Sequence, residues 1–382
     1  MVLDLPVGFT SITSRLLMVK RKPESLPLFS KEGKMKKIIY SLFIVGLASA
    51  ALLEKPTFTK VGFTGATFLK INTSARVQAL GGAFIAISDD INALSINPAG
   101  LKNLKETAVL ANYTDWIGDF TYSYLAYAMP LPYGAFGIQV GFMNYGSFEE
   151  TTLDEPEGTG NTFSASSSLV GFSYARALTD KLGVGITLKV IREAIARESA
   201  SGFAFDLGTH YNTGFKNLRI AMSMQNYGSD LSFKGPDLDI GAIPQDWVDY
   251  YNYGGSTLPT TFKTAPYKLP LVFRIGLATD LVDIPQHKLT VALDVQHPND
   301  GAEKVMTGFE YTFDRMLSLR FGYKLDPDRT YDEWNEGRYT YGLSGGLGLK
   351  LGFGPSRFGI DYAVMDNGLL GLNHFVTLIY SF

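Results

Sequence analysis

The sequence of 382 residues contains no cysteine. Disulfides, thiolate zinc sites, iron–sulfur clusters, cysteine nucleophiles and lipid attachment through a cysteine are therefore excluded. The net charge of -3 and the lack of a clustered basic face argue against nucleic acid as a partner. The hydrophobic fraction of 46% is ordinary for a soluble protein and too low for a helical membrane protein.

Long apolar runs are also missing. The longest largely apolar run, Ile38 to Leu53, has 16 residues, whereas a membrane-spanning helix needs about 20. It follows Lys36 and Lys37, and it contains the small-residue triplet Ala48-Ser49-Ala50. A basic start, a short apolar stretch and a small-x-small site predict a secretory signal peptide. The alternative is a buried helix.

The signal peptide would occupy residues 35–50, so that the mature protein begins near Ala51. Residues 1–34 have no clear period and mix proline, serine and lysine. We interpret them as an extension from a start codon assigned too early. Since no other apolar run is long enough to span a membrane, an exported protein would be periplasmic, secreted or an outer-membrane barrel.

Motifs that carry chemistry are absent from the sequence as well. It has no P-loop and no Rossmann glycine pattern between a strand and a helix. The histidines are scattered without the spacing of metal ligands; they are His210, His287, His297 and His374. We therefore expect a protein that is not an enzyme and that holds no cofactor and no metal.

From Lys105 onward the dominant sequence period is two. Between Leu182 and Val190, for example, apolar residues alternate with glycine, threonine and lysine. Successive side chains of a strand point to opposite sides, so each segment has one apolar face and one small or polar face. The pattern predicts 14 strands, at 105–116, 119–130, 134–146, 163–177, 182–195, 200–212, 217–228, 268–281, 287–297, 303–314, 315–325, 338–353, 357–366 and 370–382.

Strand length and loop order distinguish a membrane barrel from a soluble sandwich. Soluble strands usually have about 5–6 residues, and most of the predicted strands are long enough for the roughly 9–11 of a tilted membrane strand. All long connections, at 147–162, 229–267 and 326–337, have odd rank. Long external loops alternating with tight periplasmic turns are typical of outer-membrane barrels. We predict an all-β fold, a 14-stranded antiparallel transmembrane β-barrel in the bacterial outer membrane.

The last predicted strand ends in alternating apolar and aromatic residues, with phenylalanine as the final residue. A terminal strand of this form resembles the signal by which outer-membrane assembly machinery recognises its clients. The candidate assembly signal consists of Leu378, Tyr380 and Phe382. The alternative is an ordinary core strand at the end of the chain.

Residues 51–104 differ in character from the strands. Ser74 to Leu80 suits a short helix that glycines end, and Asp89 to Leu94 suits another with its acids near the N-terminus. A barrel of 14 strands is wider than the roughly 8 strands whose side chains alone fill the interior. We expect residues 51–104 to form a helical hatch that plugs the lumen; the alternative is a periplasmic arm.

The predicted hatch carries a set of short motifs: Phe68-Leu69-Lys70-Ile71, Ala75-Arg76, Leu80-Gly81-Gly82-Ala83-Phe84, Asp89-Asp90 and Asn97-Pro98-Ala99-Gly100-Leu101. Together they resemble the N-terminal signature of the PorV/PorQ family, whose barrel is similar to that of the FadL long-chain fatty-acid transporters. Ser95-Ile96 departs from the pattern, in which an aromatic residue is expected. The candidate hatch motif consists of Gly81, Gly82, Asp89, Asp90, Asn97, Pro98 and Gly100.

The resemblance implies one of two roles. PorV-like proteins serve type IX secretion and carry cargo proteins to surface attachment, so the partners would be outer-membrane lipid, secretion components and cargo. FadL-like proteins pass hydrophobic small molecules through the barrel, and this alternative predicts an apolar pocket beside the hatch. A lumen filled by charged pairs would rule it out. We expect the secretion role first, with transport as the alternative.

Two further sets of residues are candidates for contacts. The loop 229–267 combines acidic and aromatic residues and could form an external binding surface or a solvated loop without a partner. The charges predicted to face the lumen suggest salt bridges to the hatch rather than a catalytic centre. They are Asp206, Arg219, Arg274, Asp294, Glu310, Arg320, Lys350 and Asp361.

Overall fold

The computed structural model describes residues 62–242 and 258–382. The predicted extension 1–34, the signal peptide 35–50 and residues 51–61 of the predicted hatch lie outside the described residues. Within the described ranges, no helix is both long and apolar enough to cross a membrane.

Fourteen strands form one closed antiparallel barrel, in which each strand pairs with its neighbours along the chain and the first strand pairs with the last. This confirms the predicted fold. The barrel strands are β1 (Ala108–Asp115), β2 (Thr121–Leu131), β3 (Gly134–Glu149), β4 (Thr162–Ala177), β5 (Leu182–Ile195), β6 (Glu198–Asn212), β7 (Arg219–Gly228), β10 (Val272–Asp283), β11 (His287–Pro298), β12 (Lys304–Phe313), β13 (Leu317–Leu325), β14 (Leu343–Phe353), β15 (Ser356–Asp366) and β16 (Leu372–Ser381). A separate hairpin, β8 (Asp239–Ala242) with β9 (Leu258–Thr261), lies within the predicted loop 229–267.

The first and last strands close the barrel along the whole of β1. Their register runs from Ala108 opposite Ser381 to Asp115 opposite His374. Closure matters because an open sheet edge would expose unpaired backbone groups, which cannot be hydrated inside a bilayer.

The two faces of the strands have opposite chemistry. Large apolar side chains such as Phe172, Leu188 and Phe321 are exposed on the outer face. Polar residues such as Thr187 and Asp294 are buried on the inner face. A closed barrel with an apolar outer surface and a polar interior is suited to a lipid bilayer and is the structure of a bacterial outer-membrane protein.

Tight turns occupy one end of the barrel, which the loop order makes the periplasmic end. The turn between β12 and β13 is an example, since Asp314 and Arg315 both adopt positive φ angles, of 50° and 56°. Two consecutive residues with positive φ are the geometry of a type I′ hairpin turn. At the other, outer end, the β3–β4 connection spans residues 150–161 and the β7–β10 connection spans 229–271.

The outer end also contains a helix that the sequence pattern did not predict. The predicted loop 326–337 holds the helix Pro327–Asn335, and proline suits the first position of a helix. The strand predicted from residue 338 consequently begins only at Leu343. Short 3-10 turns complete the connections, at Ile117–Asp119, Pro236–Leu238 and Gly368–Leu370.

The N-terminal segment, residues 62–104, contains four short helical pieces. They are Thr67–Lys70, Ala75–Ala79, Ala93–Ile96 and Pro98–Asn103, of which the first and last are 3-10 helices. The helix predicted from Asp89 begins later in the structure, at Ala93, because the chain bends at Asp90 and turns at Ile91 and Asn92. Asp90 Oδ1 accepts a hydrogen bond from Asn92 N at 2.9 Å, which stabilises that turn.

This N-terminal segment runs along the lumen from the outer end to the periplasmic end. At the outer end, Thr64 bridges Lys268 in the β9–β10 connection. At the periplasmic end, Lys102 Nζ donates to Lys181 O at 3.3 Å and to His210 O at 3.0 Å. Between them, residues 73–88 are buried throughout.

Candidate functional site

Arg76 joins the N-terminal segment to the barrel wall. Its guanidinium donates from Nε and Nη2 to the two oxygens of Glu310 on β12, at 2.9 and 2.7 Å. Its Nη1 also donates to Asp89 at 2.6 Å and to Asp90 at 2.5 Å. Bidentate, charge-assisted contacts of this kind are among the strongest hydrogen bonds in proteins.

The wall carries this charge network further. Arg320 on β13 donates from Nε to Glu310 at 2.6 Å and from Nη1 to Asp361 on β15 at 2.5 Å. We call Arg76, Asp89, Asp90, Glu310, Arg320 and Asp361 the Arg76 cluster. Such buried ions are tolerated because nearly every charge has an opposite partner and hydrogen bonds.

Arg76 and Asp89 remain charged over a wide pH range. Burial opposes the charge of Arg76, but Asp89, Glu310 and Asp90 outweigh it, and the pKa of the guanidinium lies well above its usual value. Burial likewise opposes the charge of Asp89, yet Arg76 outweighs it and lowers the pKa of Asp89 to about 2.

Three of the other predicted lumen charges have one of two roles. Asp294 on β11 binds the N-terminal segment, because its Oδ2 accepts from Phe84 N at 2.8 Å and from Ile85 N at 3.0 Å. Others pair within the wall. Lys189 lies 2.6 Å from Asp206, and Arg219 lies 2.8 Å from Asp280.

The glycines of the candidate hatch motif lie where the N-terminal segment touches the wall. Gly81 and Gly82 follow the helix Ala75–Ala79 with φ angles of 66° and 90°, which is the left-handed conformation that ends helices. A Cβ on Gly81 would lie 2.8 Å from the backbone nitrogen of Tyr323 on β13. Glycine is therefore required for both the turn and the close approach.

Asn97 of the same motif ties the segment to β6. Its Oδ1 accepts from Ala99 N at 3.1 Å, and its Nδ2 donates to Ile85 O and to Thr209 O, both at 3.1 Å. Pro98 lies against Gly185 of β5, where a Cβ would come within 2.4 Å of the proline carbonyl carbon. Gly100 is packed against Ser88 so closely that a side chain would overlap its backbone oxygen.

Asp89 and Asp90, interpreted from the sequence as helix-start charges, serve mainly as partners of Arg76. The sequence could not reveal this role, because the turn that presents both carboxylates depends on Arg76 lying opposite them.

The candidate assembly signal lies on the outer face of β16 and at the residue that follows this strand. Leu378, Tyr380 and Phe382 are all exposed there. The rings of Tyr380 and Phe382 stack with centroids 5.5 Å apart. Recognition of these residues by assembly machinery stays a prediction.

A chamber of about 710 Å³ opens between the N-terminal segment and the outer end of the barrel. We call it the outer chamber. Part of its wall is aromatic or apolar: Phe68, Trp116, Phe120, Met143, Tyr145 and Tyr341. Another part is charged: Lys70, Arg274, Asp300, Lys304, Lys324, Asp326, Arg329 and Asp332. The sequence pattern missed this site, because it gathers strand ends and loops that lie far apart along the chain.

Some charges of the outer chamber are paired with each other. Lys70 lies 2.7 Å from Asp300, and Lys304 lies 2.5 Å from Asp326. Thr64 also donates a short hydrogen bond to Asp300. Burial opposes the charge of Asp300, but Lys70 and Thr64 outweigh it, so the pKa of this carboxyl is lowered.

A second cavity of about 370 Å³ lies at the periplasmic end. Asp89, Asp90, Lys350 and Arg357 contribute to its lining, and it shares no lining residue with the outer chamber. We call it the inner chamber. Across residues 62–242 and 258–382 there is no group of three or more acidic or histidine side chains placed to hold a metal ion.

The model of an uncharacterised protein family, UPF0164, matches residues 43–224. A search of curated protein sequences found no match. The PorV/PorQ resemblance stays a prediction.

Several solved outer-membrane proteins have a similar fold. The Ralstonia pickettii toluene transporter TbuX is 13% identical, with 81% of this chain and 97% of that chain covered and a TM-score of 0.46. A Pseudomonas aeruginosa FadL homologue is 12% identical, with 84% and 99% covered and a TM-score of 0.49. The KdgM porin is 8% identical, with 73% and 99% covered and a TM-score of 0.31. Similarities this distant carry no argument about a substrate.

Proposed function

We propose that this barrel is a non-enzymatic outer-membrane channel for small molecules with a hydrophobic body, and that residues 51–104 are its hatch. The observation that carries the proposal is the outer chamber beside the N-terminal segment. Its volume of about 710 Å³ lies in the range of roughly 300–1,000 Å³ that ligand pockets occupy. Its aromatic wall offers an apolar body a surface to contact.

Contacts of the described part of the hatch support a closing role. The stretch 73–88 is buried inside the lumen, and it binds β11 through Asp294 and β12 through Glu310. The outer and inner chambers lie on opposite sides of it. A passenger moving from one chamber to the other must therefore displace part of the hatch.

The sequence-based prediction is that a lumen filled by charged pairs would rule out such a channel. That expectation treated the lumen as one space. The Arg76 cluster holds the N-terminal segment itself. The outer chamber is a separate space, and its own charged pairs, Lys70 with Asp300 and Lys304 with Asp326, lie in a lining that is also aromatic. These pairs leave a cavity of about 710 Å³ open, so they do not fill the passage.

The role in type IX secretion or surface attachment rests on the motif resemblance alone. A lumen occupied by the N-terminal segment, with a chamber of small-molecule size, favours a small passenger over a protein. For this reason the transport alternative is the better supported of the two.

A reversible lock on the hatch tests the proposal. The chain has no cysteine, so the double variant Leu80→Cys with Gly308→Cys creates a single candidate disulfide. An ideal Cβ at Gly308 would lie 2.9 Å from Leu80 Cβ, so a small shift brings the pair to the roughly 3.5–4.5 Å of a disulfide. The readout is the protein-dependent uptake of radiolabelled para-butylbenzoate and its neutral amide, which is the uptake by proteoliposomes minus that by protein-free liposomes.

We expect oxidation to abolish uptake of both probes and a reductant to restore it. The two single variants are the matched controls, and their uptake should not respond to oxidation. Wild-type protein that admits neither probe, or a locked variant that admits both, would contradict the proposed channel.

A further inference from the structure

We propose that two neighbouring turns at the periplasmic end bind the headgroup of an anionic phospholipid in the periplasmic leaflet of the outer membrane. The turns join β4 to β5, at residues 178–181, and β6 to β7, at residues 213–218. The basic residues of this site are Arg176, Lys181 and Lys216, and we call them the basic rim. The inference does not depend on the proposed channel, because it concerns the lipid-facing side of the barrel and not its lumen.

The two turns are in direct contact. The backbone nitrogen of Asn212 donates to Lys181 O at 2.9 Å. A Cβ built on Gly214 would lie 3.3 Å from Lys181 Nζ, so the Lys181 ammonium reaches the turn that also carries Lys216. Arg176 lies on the exposed face of β4, one residue before the strand ends. The fold therefore gathers three cations in one sector of the periplasmic rim.

The charges of the basic rim are exposed and lack acidic partners. All three residues are exposed, and within residues 62–242 and 258–382 none of them forms an ion pair. The Lys216 ammonium lies over the ring of its neighbour Phe215, 5.2 Å from the centroid. Asp180 is the one acidic residue in the two turns. The sector thus has an excess of two positive charges.

The other tight turns have no such excess. The turn between β2 and β3, at residues 132–133, has no charged residue. At the remaining turns each basic residue has an acidic partner or neighbour: Arg357 with Glu106 at 3.2 Å, Lys288 with Asp280 at 3.7 Å, and Arg315 directly after Asp314. The unpaired positive charge is therefore specific to the β4–β7 sector and is not a general property of the rim.

The surface around the basic rim is apolar. Leu178 and Phe215 in the two turns are 58% and 64% exposed, and Tyr211 on the outer face of β6 is 41% exposed. These side chains continue the lipid-facing wall of the barrel into its turns. Apolar and aromatic groups beside lysine and arginine are the combination that binds an anionic membrane surface, because the long stems lie along the acyl boundary while the charged ends reach the phosphates.

Charge complementarity selects the kind of lipid. A basic residue near an anionic membrane surface contributes about fivefold to binding, which is about 1 kcal/mol. A zwitterionic headgroup brings no net charge and gains little from the basic rim. A soluble anion would use the charges but leave the exposed Leu178 and Phe215 in water. The site therefore fits a phospholipid with a net negative headgroup, such as phosphatidylglycerol.

A local quenching experiment tests the proposal. The chain has no cysteine, so Thr209→Cys, exposed on the outer face of β6, gives a single position for a bimane label. The full-length barrel is placed in phosphatidylcholine nanodiscs. These contain increasing fractions of phosphatidylglycerol or phosphatidylcholine with a nitroxide near the top of one acyl chain. We expect half-maximal quenching at an at least about tenfold lower fraction of the anionic lipid.

Variants then assign this preference to the basic rim. Arg176→Gln, Lys181→Gln and Lys216→Gln together should bring the two lipids within about threefold of each other. Arg315→Gln is the matched control, because it removes a cation from a different turn, and it should keep the full preference. About 1 M salt should reduce the preference, since the Debye length falls to about 3 Å. Heat-modifiable migration in gels checks that each variant is folded.

A second label position tests whether the site is local. Leu319→Cys places the label on the exposed face of β13, similarly close to the turn that contains Arg315. There we expect the two lipids to quench about equally.

Four results would overturn the proposal. The first two are equal quenching by both lipids at Thr209→Cys and a full preference in the triple variant. The third is the same preference at Leu319→Cys, which would indicate a property of the whole rim. The fourth is displacement of the anionic lipid by inorganic phosphate at constant ionic strength, which would assign the basic rim to a soluble anion.

Discussion

Arg76→Met should release the hatch and open the barrel. The substitution keeps much of the side-chain volume but removes all the charge-assisted bonds that join Arg76 to Glu310, Asp89 and Asp90. Removing one partner of a buried ion pair typically costs about 3–5 kcal/mol. Glu310 keeps Arg320 as a partner, and the exposures of the Asp89 and Asp90 side chains, 33% and 20%, let water compensate them in part. We therefore expect the substitution to destabilise the closed state by the lower end of this range, about 3 kcal/mol.

This free energy translates directly into channel opening. If the closed state alone contains the Arg76 contacts, a loss of about 3 kcal/mol raises the ratio of open to closed barrels by about 150-fold. The assay is single-channel recording in planar bilayers, where the fraction of time in the conducting state reports this ratio. Arg76→Lys keeps the charge without the bidentate geometry, and it should give an intermediate value.

The matched control is Arg357→Met, which removes an arginine that is 66% exposed and pairs with Glu106 at 3.2 Å. An exposed pair contributes about 0–1 kcal/mol, so its open fraction should stay close to that of the wild type. If Arg76→Met conducts no more often than Arg357→Met while its barrel remains folded, the Arg76 cluster does not close the lumen and the reasoning fails.

Three further predictions concern the same segment. Asp89 has its pKa lowered to about 2, so its contribution to the stability of the closed hatch should be complete above about pH 4 and lost as the pH falls towards 2. Single-channel recordings from pH 7 to 2 should therefore show a closed barrel that opens only near the acidic end. The Asp89→Asn variant should not respond to this fall in pH. Gly322→Ala should weaken the packing of the hatch by about 1–3 kcal/mol, because the new Cβ meets the backbone of Gly81. Trypsin should then cleave this variant after Arg76. Gly352→Ala adds a Cβ where there is open space, so this control variant should resist trypsin. Asn97→Ala should weaken the binding of the N-terminal segment to the barrel wall by about 1–2 kcal/mol, which the same trypsin assay would show as faster cleavage. If the variant resists trypsin as well as the wild type does, Asn97 does not hold the segment in place.

The barrel could be predicted from the sequence because its signal is local. Alternation of apolar and polar residues is present within each strand, so all fourteen strands and the order of long and short connections follow from neighbouring residues alone. The element that the pattern did not predict also has a local cause. The helix Pro327–Asn335 occupies a connection in which no period of two exists.

The contacts that hold the N-terminal segment could not be predicted in the same way. Arg76 and Glu310 are separated by 234 positions, and only the seating of the segment in the closed barrel brings them together. The sequence pattern placed Arg76 in the hatch and Glu310 among the charges facing the lumen, but it could not pair them. The outer chamber was missed for a related reason, since its aromatic and cationic residues come from several connections at one end of the barrel.

The distribution of anchors along the N-terminal segment indicates how the hatch opens. At its outer end, Lys70 forms an ion pair with Asp300. The backbone nitrogen of Ala66 donates a hydrogen bond at 3.1 Å to Glu193, which also accepts one from Tyr267 Oη at 2.8 Å. Its periplasmic end is held by Asn97 and Lys102.

Expelling the whole segment would break both sets of anchors together with the Arg76 cluster. Rearranging only the stretch between them breaks the Arg76 cluster and the contacts of Asp294, and it keeps both ends in place. The second route costs less free energy, because it sacrifices fewer buried hydrogen bonds. We infer that opening is a local rearrangement within residues 75–96, which lie between the two chambers, while the ends of the segment stay fixed to the wall.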